Sequence, residues 1–180
     1  MKLKNHLIKL CCAAALCLSG SALAADTVVL YFSASGNTQA VAELIARTVN
    51  AESLAITPQE PYTAADLNWH DEKSRTSIEM KGSDNKVRPA IANDLSTVKD
   101  ASTVVLGFPI WWGTAPRIIN TALESYDFSG KKIYIFCTSG GSGVEQSLAD
   151  LKAAYPNYNF VAARRFNFGD TTDNVKSWLK

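Results

Sequence analysis

The chain is expected to fold as an α/β protein built on a doubly wound parallel sheet. Three observations predict that class. Near-continuous apolar runs such as Thr103-Val104-Val105-Leu106-Gly107-Phe108 suit strands covered on both faces. Amphipathic stretches with helical spacing alternate with those runs along the chain. Glycine, proline and hydroxyl-rich turns fall at the carboxyl ends of the expected strands, as short right-handed crossovers require.

The elements follow in order. Val28-Val29-Leu30-Tyr31-Phe32 anchors a strand over about 27–32, and Val41, Leu44, Ile45 and Val49 share one face of a helix over 38–49. A second strand is expected over 52–56. Pro58 and Pro61 then break the chain, 70–81 is charged and weakly periodic with room for a helix, and Pro89 stops any regular element. The stretch 57–97 has too few large apolar residues to bury a core of its own, so it reads as an elaborated crossover within one domain. Strands are expected over 103–108 and 132–137, separated by a helix over 116–126 in which Pro116 suits the first turn. In that helix Ile119, Ala122, Leu123 and Tyr126 recur at i, i+3, i+4 and i+7. Val144, Leu148 and Leu151 mark a helix over 143–154. A strand over 159–163 and a helix over 171–179, striped by Val175, Trp178 and Leu179, complete the pattern.

The 180 residues, 47% of them hydrophobic, are enough for one domain with a sizeable core. Residues 1–24 read as a signal peptide, leaving 25–180 as the domain. Lys2, Lys4 and Lys9 form the basic leader, 10–18 a short apolar stretch, and Ser21-Ala22-Leu23-Ala24 a cleavage site near Ala24. The apolar stretch is too short to span a bilayer as a stable helix. The leader carries no twin arginine, so a Sec-type route to the periplasm or the medium is expected, with the chain crossing unfolded. Cleavage takes three of the 18 basic residues and none of the 17 acidic ones, leaving 15 against 17, or −2. That balance excludes a polyanion-binding surface, and nucleic acid is no expected partner. Cys11, Cys12 and Cys17 leave with the leader, so Cys137 alone remains and no internal disulfide is possible. It lies in Ile133-Tyr134-Ile135-Phe136-Cys137 and reads as a buried strand residue.

Chemistry concentrates in three loops that such a sheet would bring to one edge. Ser33-Ala34-Ser35-Gly36-Asn37-Thr38 leads from the first strand into the first helix. The free N–H groups and positive dipole end of that helix, with the Ser and Thr hydroxyls, make an anion site. The loop has no Lys or Arg, which points to a phosphate monoester on a larger cofactor, though the same residues also serve as ordinary helix caps. Neither a P-loop Gly-Lys-[Ser/Thr] nor G-x-G-x-x-G is present. The second loop, Pro109-Ile110-Trp111-Trp112-Gly113-Thr114-Ala115-Pro116, offers two large flat faces, of which one or both can instead cap the core. The third, Thr138-Ser139-Gly140-Gly141-Ser142-Gly143, allows close backbone approach to the polar edge of a ring, or a helix entrance capped by Ser142. A phosphate cradle, an aromatic plate and a glycine-rich donor loop together ask for a planar heterocycle carrying a phosphate, the shape of flavin mononucleotide (FMN).

These three loops, starting at Phe32, Gly107 and Cys137, resemble the flavin-contacting loops of bacterial flavodoxins. The resemblance spans essentially the whole chain after the leader. It implies a five-stranded sheet of order 2-1-3-4-5 with helices on both faces and FMN at the carboxyl edge. It also implies that Ser33, Ser35, Gly36, Asn37 and Thr38 hold the phosphate. Pro109, Ile110, Trp111, Trp112 and Gly113 would flank the isoalloxazine, and Thr138, Ser139, Gly140 and Gly143 would meet its pyrimidine edge. The expected function is electron transfer by a periplasmic FMN protein, with a redox donor and acceptor protein or membrane quinones as partners. Direct reduction of quinones or other small acceptors is the alternative, and a flavin-free binding module on the same scaffold a third. No catalytic residue and no metal ligand is assigned, since His70 is the only histidine after the leader and sits in a polar segment.

Overall fold

The computed structural model describes residues 26–82 and 86–180. The expected signal peptide, 1–24, lies outside the described residues. Five strands form one parallel sheet: β1 Thr27–Tyr31, β2 Glu52–Ala55, β3 Thr103–Pro109, β4 Lys132–Thr138 and β5 Asn159–Arg165. Their order is β2-β1-β3-β4-β5, as expected. Among the described residues the five α-helices are α1 Asn37–Val49, α2 Arg75–Lys81, α3 Arg117–Ser125, α4 Glu145–Ala154 and α5 Thr172–Trp178.

Alternation along the strands divides the core into two layers. Val28, Leu30, Val104 and Leu106 face α3 and α4 through Ile118, Ile119 and Leu151. Val29, Tyr31 and Val105 face α1 and α5 through Ala42, Ile45 and Val175. Both faces are thus sealed, which is why the strands read as unbroken apolar runs. Each large side chain buried this way contributes about 1.5–3 kcal/mol. Gly107 in β3 leaves room for the neighbouring Phe136 of β4, since a Cβ at Gly107 would fall inside that ring. Winding reverses between β1 and β3, and this switch point places the loops after β1, β3 and β4 at one edge.

Element ends differ from expectation where capping chemistry decides them. Pro116 stands outside α3 as its N-cap, because its ring fixes φ while its ψ of 145° is non-helical. α4 begins only at Glu145, with Val144 at the N-cap, so Ser142 does not cap it and Gly143 stays in the loop. β5 runs to Arg165, past a bulge that leaves Val161 out of register between Phe160 and Ala162. A reciprocal Thr171–Asn174 capping box starts α5.

Among the described residues of the crossover, an α-helix forms over Arg75–Lys81, where Ser74 accepts the Ser77 N–H. Antiparallel bonds pin the two ends of the crossover together: the Gln59 N–H donates to the Ala90 carbonyl and the Ala92 N–H to the Thr57 carbonyl, both 2.8 Å. The Tyr62 hydroxyl donates to the buried Glu79 carboxylate at 2.7 Å. Arg75 pairs with the same carboxylate at 2.7 Å and lies 3.9 Å over the Tyr62 ring. Among the described residues, no helix is long and apolar enough to cross a membrane.

Candidate cofactor site at the carboxyl edge of the sheet

The turn from β1 into α1 is shaped by Gly36, the α1 N-cap, at φ 88°. Its N–H donates to Ser33 Oγ at 3.1 Å, while Asn37 Nδ2 reaches Ser35 Oγ at 3.4 Å. The first intrahelical bond runs from the Ala40 N–H to the Gly36 carbonyl, 3.0 Å. The N–H groups of Asn37, Thr38 and Gln39 therefore have no helical acceptor and point out of the helix end. Space above the turn is open, since a Cβ on Gly36 would meet nothing within 4 Å. Thr38 is placed differently from the others: it is buried, and its hydroxyl pairs with that of Thr138 at 2.8 Å, tying α1 to the end of β4.

The loop after β3 closes on itself. Trp111 and Thr114 exchange both backbone bonds at 3.0 Å, with Trp112 at φ 48° and Gly113 at φ 82° between them. Positive φ at both central positions is the type I′ pattern that makes the tightest hairpins. Thr114 donates to Asp150 of α4 at 2.6 Å, and the Ile110 N–H to the Thr138 carbonyl at 3.0 Å, so the hairpin is fastened on both sides. The two tryptophans separate in role. Trp111 makes edge-to-face contacts with Phe32 and Tyr62, at centroid distances of 5.5 and 5.2 Å, and so caps the core as well as facing the cleft. Trp112 takes no part in that triad and stands at the hairpin tip.

In the loop after β4, the Gly141 N–H donates to Ser139 Oγ at 3.0 Å. The Gly141 carbonyl accepts from Arg165 Nη1 at 2.7 Å, which anchors the glycine loop to the end of β5.

Together the three loops enclose a cleft with two lobes that share Ser35, Pro109, Ile110, Ser139 and Gly140. One lobe, about 490 Å³, lies between Trp111–Trp112 and the glycine loop, with Leu67, Trp69 and Thr76 of the crossover on its outer side. The other, about 530 Å³, runs from Asn37 and Thr138 along Ala40, Val41 and Leu44 of α1 to the segment after β5. Of the expected site residues, Ser35, Asn37, Pro109, Ile110, Trp111, Trp112, Thr138, Ser139 and Gly140 line the cleft. Ser33, Gly36, Thr38 and Gly113 shape its walls through hydrogen bonds and turn geometry. Gly143 lies outside both lobes, where a Cβ would meet the Glu145 carboxylate. Sequence reasoning missed Leu67, Trp69, Thr76 and the stretch 166–170. The rule that ligands gather at strand carboxyl ends pointed to the second group, because Phe166 directly follows β5.

Among the described residues, Asp170 is the only ionisable side chain lining either lobe. Its carboxylate is held by Arg164 at 2.9 Å and by the Asn167 N–H at 2.6 Å. His70 is exposed and rests its ring on Trp69, at 3.5 Å between centroids, rather than lining the cleft. Cys137 is buried beneath the cleft floor, and burial pushes its thiol up to about 12. Among the described residues no group of His, Cys, Asp or Glu is placed to hold a metal ion. The donor set is thus neutral throughout: hydroxyls, the Asn37 amide and helix N–H groups at one end, aromatic and aliphatic walls with the Asn167 amide farther along. That chemistry fits a phosphate monoester joined to a flat ring.

The flavodoxin family model matches residues 26–180. Two solved structures of candidate flavoproteins are close to the chain. One from Bacteroides uniformis ATCC 8492 is 45% identical, covering 86% of this chain and 97% of its own, with a TM-score of 0.80. One from Bacteroides eggerthii DSM 20697 is 40% identical, covering 86% and 95%, with a TM-score of 0.82. A flavoprotein from Lactobacillus acidophilus NCFM, solved in complex with FMN, shares the fold at 23% identity, covering 87% and 100%, with a TM-score of 0.68. No curated protein matches the chain. A doubly wound sheet of order 2-1-3-4-5, an uncharged hydroxyl-rich turn with free helix N–H groups at its switch point and a family match over the whole described domain lead to one assignment: the chain belongs to the flavodoxin family.

Proposed function

We propose that the chain is an FMN-binding electron carrier that works in the periplasm or as a secreted protein. The observation that carries this reading is the convergence of three loops on a cleft whose only charged lining group among the described residues, Asp170, is already paired. Ser35, Asn37 and the first-turn N–H groups of α1 would hold the phosphate, where the helix dipole replaces a cation. Ile110, Trp111 and Trp112 would wall the ring and keep water from it, and the backbone of Ser139 and Gly140 would meet its polar edge. FMN supplies one- and two-electron transfer when bound, and the walls tune its potential through packing and hydrogen bonds. Among the described residues the lining holds no His, Cys, Lys, Arg or Glu, and the reading of a carrier draws on that uncharged wall. The basic leader and small-residue cleavage site support work outside the cytoplasm.

The visible absorption spectrum of the 25–180 chain, before and after incubation with FMN, tests the reading. A flavin spectrum that stays with the protein through desalting is expected, and a colourless product would favour a flavin-free binding module. Apoprotein should reload spontaneously if the chain is exported unfolded. A second reading, direct reduction of quinones or similar small acceptors, draws support from the uncharged lining. Protein partners usually dock through complementary charge, and the cleft offers little. Saturable turnover of a soluble quinone with a soluble donor, and no added reductase, would select it.

A further inference from the structure

We propose that Glu79, whose carboxylate lines neither lobe of the cleft, is a positioning residue for the cofactor: through Tyr62 it fixes the angle at which Trp111 presents its indole to the cleft. The backbone bonds of the hairpin hold the Trp111 main chain but leave its side chain a choice of rotamers. That choice falls to what the indole touches. Among the described residues its aromatic contacts are Phe32, at 5.5 Å between centroids and 89° between planes, and Tyr62, at 5.2 Å and 75°. Phe32 is fully buried at the end of β1, so the core fixes it. Tyr62 is half-buried, belongs to the crossover, and has to be fixed by other means.

Those means converge on Glu79. Its carboxylate is buried, and each oxygen has a donor: Oε2 accepts from the Tyr62 hydroxyl and Oε1 from Arg75 Nε, both at 2.7 Å. The Arg75 guanidinium also donates to the Glu60 carbonyl at 2.8 Å and lies 3.9 Å over the Tyr62 ring. Tyr62 is thereby held at its hydroxyl, on one face, and at its contacts with Phe32 and Trp111. Apolar packing would fill the same volume without the cost of burying a carboxylate, but a ring held by packing alone can tilt. A hydroxyl bonded to a fixed acceptor sets direction as well as volume. The helix that carries the acceptor is itself part of the cleft wall. Thr76, one turn before Glu79, lines the Trp111 lobe, and its N–H and hydroxyl both donate to the Asp66 carbonyl, at 3.1 and 2.6 Å. Position is thus passed from a buried carboxylate through a phenol to an indole. That the flavin ring occupies this lobe rests on the preceding functional reading; the placement of the indole does not.

The test labels the four tryptophans of the 25–180 chain with 5-fluorotryptophan and follows Trp111 by fluorine NMR, its signal assigned by its loss in Trp111→Phe. In the apoprotein, Tyr62→Phe keeps the ring and removes the bond to Glu79. It should shift the Trp111 signal by more than a linewidth, while the signal of Trp178, packed on the other face of the sheet, stays in place. Glu79→Gln keeps an acceptor oxygen for the Tyr62 hydroxyl and should leave the Trp111 signal at its wild-type position. FMN titration follows. Tyr62→Phe should weaken FMN about fivefold, the scale of one displaced aromatic contact, but less than about twofold in the Trp111→Phe background. Three results would overturn the relay: a Trp111 signal unmoved by Tyr62→Phe, a Glu79→Gln signal displaced as far as that of Tyr62→Phe, or an equal loss of FMN affinity with and without Trp111. Wild-type protein that refuses FMN while its Trp111 signal answers Tyr62→Phe would sink the flavin reading alone; yellow protein with an unmoved Trp111 signal would sink this one alone.

Discussion

At residue scale, Trp112 sits at φ 48°, a left-handed conformation that bulky side chains seldom adopt. Strain of that kind costs about 1 kcal/mol and persists where the surroundings hold it. Asn is favoured at this position of a type I′ turn. Trp112→Asn should therefore raise stability by about 1 kcal/mol in urea unfolding, while losing one aromatic wall should weaken FMN about tenfold. Unchanged FMN affinity would remove Trp112 from the site. Gly107 is the opposite case, a small residue required by packing. A Cβ there would occupy the space of the Phe136 ring, so Gly107→Ala should cost about 1–3 kcal/mol, read as a lower urea midpoint. The sequence shows both residues but not these reasons, because φ and ring placement are set by the neighbouring strand and turn. Thr38 makes the same point: it reads as a phosphate ligand from the sequence, and only the sheet brings Thr138 within 2.8 Å of it.

At element scale, strands and helices around the parallel sheet were legible because burial on both faces writes itself into the sequence as apolar runs and stripes. In the crossover only the room for a helix within 70–81 was legible, and α2 fills its second half. The crossover's order comes from polar pairs that periodicity does not encode, above all Tyr62–Glu79 and Arg75–Glu79. Burial, then the bond to Glu79, push the Tyr62 phenol well above its usual range. This cluster braces Tyr62, Tyr62 braces Trp111, and the crossover so delivers Leu67, Trp69 and Thr76 to the cleft. Removing the shared acceptor leaves a half-buried phenol without its hydrogen-bond acceptor and strips Arg75 of its carboxylate partner, leaving it only the Glu60 carbonyl and the Tyr62 ring. Glu79→Ala should cost about 3 kcal/mol in urea unfolding, and a loss under 1 kcal/mol would show that the cluster is incidental. The segment after β5 escaped notice for a related reason: Asn-Phe-Gly-Asp signals a turn, but not that its phenylalanine is uncovered at a cleft.

At the scale of the molecule, pH acts through groups whose ionisation differs between folded and unfolded chains. Bonds from Thr63 to Asp66, from Ser96 to Asp94, from Ser129 to Asp127 and from Arg88 to Glu124 hold these carboxyls below their usual range. A depressed carboxyl adds stability above its unfolded value and loses it as pH falls through the folded one. Cys137 works in the reverse sense: its thiol, near 9.0 when free and about 12 when buried, adds stability below pH 9 that disappears as pH climbs toward 12. Urea unfolding across pH should therefore show a plateau through neutrality, a fall below about pH 4 and a second fall above pH 9. Cys137→Ala should shallow the alkaline limb, and native protein should resist a thiol reagent until denatured. A thiol that reacts readily in native protein would contradict its burial.

The self-closed hairpin Trp111–Thr114 has a kinetic meaning. Both of its backbone bonds lie within the turn, so its shape needs no ligand to complete it. A receptor shaped in advance surrenders little chain entropy at encounter, and capture should proceed in one diffusive step near the common range of about 10⁵–10⁷ M⁻¹s⁻¹. Under the proposed export of an unfolded chain, that readiness would let the newly folded protein take up its flavin in a single encounter.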